Sequence, residues 1–67
     1  MSMDTLKVLR EHHEAATVAH REACDRQTNA RYGSSAYYEA KRDAAVHYAV
    51  ALELWAIVTE LEAVPAL

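Results

Sequence analysis

The sequence predicts an all-α fold: an antiparallel two-helix hairpin that dimerises into a four-helix bundle. Three observations predict it. Alanine, the best helix former, is abundant, while the single glycine (Gly33) and the single proline (Pro65) stand at the middle and the end of the 67 residues. Apolar residues in the second half recur at alternating spacings of four and three, the periodicity of a packed helix. That second half is also apolar on two sides, more than one neighbouring helix can cover.

Helix 1 is expected from about residue 4 to about residue 31, with Ser2 or Asp4 as candidate N-cap. Its apolar face gathers Val8, Leu9, His12, Ala16, Ala19, Ala23 and Ala30, opposite Lys7, Arg10, Glu14, Arg21, Asp25 and Asn29. Small residues in such a seam let a neighbouring helix approach closely. The break falls at residues 32–34, where Gly33 can take the left-handed conformation and a serine can cap the second helix. One continuous helix through Gly33 is the alternative, since an internal glycine costs only about 1 kcal/mol.

Helix 2 is expected from about residue 35 to residue 63, closed by Pro65. Tyr37, Ala40, Ala44, His47, Ala51, Leu54, Val58 and Leu61 form a heptad seam directed at helix 1. Tyr38, Ala45, Ala49, Leu52, Ala56 and Ala63 form a second apolar stripe directed at another chain. In an antiparallel pairing, residues whose numbers sum to about 66 or 67 lie at one level. Leu6 then meets Leu61, Leu9 meets Val58, His12 meets Leu54 or Trp55, and Ala19 and Ala23 meet His47 and Ala44. Ala44, His47, Ala51, Leu52, Leu54, Trp55, Val58 and Leu61 are accordingly assigned to the core and the dimer interface.

Size makes a partner chain the natural completion. A chain of this length buries only about 60% of its unfolded surface, and its one cysteine, Cys24, cannot form an internal disulfide. A lone thiol suits a reducing cytoplasm. The N-terminus shows no apolar run behind a positive start, and the Ala44–Val58 apolar stretch reads as too short to span a bilayer. A soluble cytoplasmic homodimer, not associated with membrane, is expected.

Four histidines and Cys24 raise the question of metal. His20 and Cys24 have i, i+4 spacing, as do Asp43 and His47, and His13 lies on the flank of the first pair. On a helical wheel the two pairs fall on opposite sides of the seam and do not converge, so no metal and no cofactor are assigned. His47 reads as a core histidine, with His20 and Cys24 packing beside Tyr48 or Trp55. Catalysis is not expected, because Cys24 lies inside a helix with no loop to shape an oxyanion site.

Net charge is −3, which disfavours phosphate binding. Its distribution is uneven. The open end, with Asp4, Lys7, Arg10, Glu11, Glu14, Glu53, Glu60 and Glu62, carries −4, whereas the tip carries +1. A nucleic-acid-binding hairpin dimer of the RNA-binding copy-control type is the alternative function. The tip composition favours protein binding: Tyr32, Tyr37 and Tyr38 gather with Arg31, Glu39, Lys41 and Arg42. Tyrosine and arginine are enriched in binding hot spots. Tyr37 and Tyr38 are equally consistent with core and dimer packing, because dimer and partner surfaces share this composition.

In length, alanine content, hairpin architecture and the tyrosine-rich start of helix 2 (Ser35-Ala36-Tyr37-Tyr38-Glu39-Ala40-Lys41-Arg42), the chain resembles small phage-encoded proteins that disable host regulators. The family it is most similar to is that of phage quorum-sensing anti-activators. The resemblance implies a dimeric hairpin inhibitor that binds a LuxR-type transcriptional regulator and a pilus-assembly ATPase. It further implies that Tyr38, Glu39 and Arg42 contact the partner.

Overall fold

Gly33 decides the topology. Its φ is +83°, a backbone conformation that L side chains rarely adopt. The Ser34 amide donates to the Arg31 carbonyl at 3.0 Å, closing a tight turn with Gly33 at its third position, where a positive φ is required. The computed structural model describes residues 3–63, with side-chain surroundings from residue 4 onward. Among these residues there are two helices and no strand: α1, Met3–Asn29, and α2, Ser35–Ala63. The turn excludes the continuous helix. Ser2 and Pro65, the candidate outer cap and stop, lie outside the described residues.

Local chemistry explains the ends of the turn. The Ala30 amide reaches back to Arg26 O and Gln27 O at 3.0 and 3.3 Å, tightening the end of α1 two residues before the Arg31 boundary read from the sequence. Ser34 Oγ accepts from the Tyr37 amide at 3.2 Å, which makes Ser34 the N-cap of α2. A Cβ added at Gly33 would meet nothing within 4 Å, so only backbone strain opposes a side chain there. Gly33→Ala is therefore expected to cost about 1 kcal/mol of stability, and Gly33→Asn less, in thermal or urea unfolding.

The helices pack as an antiparallel hairpin 54 Å long and 15 by 12 Å in cross-section. Its radius of gyration of 15.4 Å exceeds the roughly 11 Å of a globular chain of this length. Among the described residues the buried core is four alanines: Ala16 and Ala23 from α1, Ala40 and Ala44 from α2. No large side chain among the described residues is fully buried.

The α2 seam is the one read from the heptad: Tyr37, His47, Ala51, Leu54, Val58 and Leu61 are half-buried beside Ala40 and Ala44. The α1 seam needs correction. Val8 and His12 are exposed, while His13, His20 and Gln27 take seam positions. Leu6, Leu9, His13, Ala16, His20, Ala23, Gln27 and Ala30 then complete a heptad seam matching that of α2. Because three of these positions are polar, an apolar-face count tilts the wheel toward Val8 and His12.

Contacts across the hairpin fix the register. Arg10 places Nη2 and Nε 2.7 and 3.1 Å from Glu62 Oε1, and Arg26 Nη2 lies 3.4 Å from Asp43 Oδ2. The first pair lies on one edge of the seam and the second on the other, as the matching flank positions of two antiparallel heptads require. Both pairs are about half exposed, so each contributes at most about 1 kcal/mol. They select register more than they stabilise.

Helix α2 has 29 residues and a mean hydropathy of 1.4 in its apolar window, long and apolar enough to cross a membrane by length and composition. The short Ala44–Val58 stretch understated this, because the helix continues past it at both ends.

Candidate functional site

Large apolar side chains that α1 leaves uncovered form the chemistry of this surface. Tyr38, Val46, Tyr48, Val50, Leu52, Trp55 and Ile57 of α2 are all exposed. The stripe read from the sequence, from Tyr38 through Leu52 to Ala63, lies entirely at the surface. Leu52 and Trp55, assigned from the sequence to core or dimer, are outside the single-chain core, with Trp55 57% exposed.

These residues divide between the two edges of the hairpin. On the Arg10–Glu62 edge an open groove of about 400 Å³ is lined by His13, Thr17 and His20 of α1 and by Tyr48, Ala51, Leu52 and Trp55 of α2. Two of its polar side chains are already engaged. Thr17 Oγ1 donates to His13 O at 2.9 Å, within α1. His20 Nδ1 lies 2.9 Å from Ala44 O, and since a carbonyl only accepts, Nδ1 carries the proton. The His20 ring also packs on Tyr48, with centroids 5.4 Å apart. What remains available to an occupant is largely apolar and aromatic, with the His13 ring, the Tyr48 hydroxyl and the Trp55 indole at its border.

His20, more than His47, is thus the satisfied interhelical histidine. Its Nε2 lies 3.6 Å from Cys24 Sγ, so the thiol can donate to the bare ring nitrogen. This thiol–imidazole pair is mid-helix, where neighbouring amides are committed to the helix ladder and no oxyanion donors face it. Among the described residues no group of three or more His, Cys, Asp or Glu side chains is placed to hold a metal ion. Asp43 pairs with Arg26 on the opposite edge from Cys24.

The tip forms a second surface. Tyr32, Tyr37 and Tyr38 make a ladder of rings with centroid spacings of 5.0 and 5.3 Å, the second contact edge-to-face. Tyr37 is the half-buried middle rung, so of the sequence-assigned partner residues it contributes least free surface. Tyr38, Glu39 and Arg42 converge with Gly33 and Ser35 around a shallow depression of about 360 Å³. Arg31 and Tyr32 line a neighbouring one with Gly33 and Ser34. Tyr32 is 81% exposed.

Sequence reasoning set His20 beside Tyr48 or Trp55, where it lies, but did not place His13 in the groove. The available signal was the seven-residue spacing of Leu6, His13, His20 and Gln27. Comparison with protein-family models, with curated proteins and with solved structures gave no match, so the functional reading rests on the residues and their geometry.

Proposed function

We propose that the chain is a non-catalytic, cytoplasmic protein-binding hairpin that works as a homodimer and sequesters a protein partner, as an adaptor or inhibitor. The observation that carries this reading is the exposed aromatic and apolar surface of α2, too extensive for one covering helix. The tip depression of Tyr38, Glu39 and Arg42 is the partner site, with Arg31 and Tyr32 at its margin and Tyr37 supporting it from below. A host transcriptional regulator of the LuxR type, or a pilus-assembly ATPase, is the partner class that the resemblance supplies, and a phage quorum-sensing inhibitor the corresponding role.

Charge supports protein over nucleic acid: the basic residues of the tip alternate with acids, and Arg26 is paired with Asp43. Bilayer insertion is disfavoured by Glu53 in the apolar centre of α2 and by α1, which brings its charged side along the same hairpin. The exposed surface of α2 is therefore assigned to protein contacts.

Tyr38→Ala with Arg42→Ala is expected to lower affinity for the regulator or the ATPase more than about 100-fold, by loss of two hot-spot side chains. Both side chains are exposed, so helicity and oligomeric mass should remain unchanged. Retained capture by the doubly substituted protein would contradict the assignment of this site.

A further inference from the structure

The groove edge of α2 carries Lys41, Tyr48, Trp55 and Glu62 at seven-residue intervals. Reversed end for end, the row is complementary to itself. We infer that a second copy of this chain covers the groove, its α2 packed antiparallel on this α2 about a two-fold axis between Ala51 and Leu52. This rests on the homodimer proposed above and fixes its face and register. In that register Tyr48 packs against the partner's Trp55, and Lys41 reaches the partner's Glu62.

Three observations single out this occupant. First, the chain exposes 5368 Å², against roughly 4,200 Å² for a globular protein of its mass. The excess exceeds the roughly 800 Å² that each partner buries in a standard interface. Second, the groove walls are largely apolar, with the His20 and Thr17 hydrogen bonds made within the chain. A ring from an identical groove fits that chemistry. Third, the outer row of the opposite flank is unsuited, although Val50 and Ile57 are exposed nearer its seam. Glu39, Val46, Glu53 and Glu60 recur in that outer row, and a two-fold axis placed at Val46, at Glu53 or midway along the row sets glutamate against glutamate.

The register has a functional consequence. Gly33 lies between 18 and 19 residues from the axis, so the two tips point to opposite ends, about 55 Å apart at 1.5 Å per residue. The dimer therefore presents two separate partner sites and holds two partner molecules.

Disulfide trapping in the full-length chain, with Cys24→Ser to remove the native thiol, tests the face and the register. Leu52→Cys lies beside the axis and should give a covalent dimer under mild oxidation, whereas Val46→Cys should not. Tyr48→Cys chains mixed with Trp55→Cys chains should cross-link to each other, and neither should cross-link alone. A wild-type chain that sediments as a monomer overturns both the homodimer and this inference. A wild-type dimer in which Val46→Cys cross-links and Leu52→Cys does not leaves the homodimer standing and overturns the inference.

Discussion

Ala23→Leu is expected to destabilise the hairpin by about 1–3 kcal/mol, the ordinary cost of inserting a larger side chain into a packed seam. Ala23 has no exposed surface, and among the described residues it shares the core with three other buried residues, all alanines. The seam holds its helices close because its central side chains are small. A leucine in place of this fully covered methyl must push the backbones apart. For a chain this size each kcal/mol moves the melting temperature by roughly 4–8 °C. Thermal unfolding followed by circular dichroism should show a loss of that order or outright loss of the transition. Ala15→Leu, at an exposed α1 position, should change stability by less than about 0.5 kcal/mol. Equal effects of the two substitutions would mean that the alanine seam is not the core.

The second large effect is expected at Trp55. Within one chain its side chain is mostly exposed, so Trp55→Glu removes little intrachain packing. Across a two-fold interface it is removed twice. With about 2 kcal/mol or more for each central tryptophan, the dimer dissociation constant should rise by about three orders of magnitude. Because Trp55 is the single tryptophan, fluorescence of the wild type reports the same event: the emission should shift to longer wavelength as the protein is diluted through its dissociation constant. An unchanged mass for Trp55→Glu would remove the groove from the interface.

Much of this architecture could be read in the residues. Gly33 and the serines beside it mark the turn, and the α2 heptad from Tyr37 to Leu61 identifies its inner face without ambiguity, because every position but His47 is apolar or alanine. The α1 seam was less legible for a physical reason. His13, His20 and Gln27 occupy inward positions, made tolerable by partial exposure and, for His20, by the bond to Ala44 O. A hydrophobicity count cannot see residues that hold a seam position through hydrogen bonding. The groove was legible in part: Trp55 and Leu52 were visible as apolar residues needing cover and His20 as their neighbour, but the place of His13 required the corrected α1 seam. The tip was legible because Tyr38 and Arg42 are one turn apart and Tyr37 opens the α2 seam, whereas the stacking of Tyr32 on Tyr37 was not.

If α2 hides its outer face against another copy of the chain, the mass in solution must show it. Sedimentation equilibrium of the full-length protein at micromolar concentration supplies that mass. The expected value is twice the chain mass of 7.5 kDa, falling toward a single chain mass in Trp55→Glu. A wild-type mass of 7.5 kDa throughout that range would contradict the pairing of α2 with its copy.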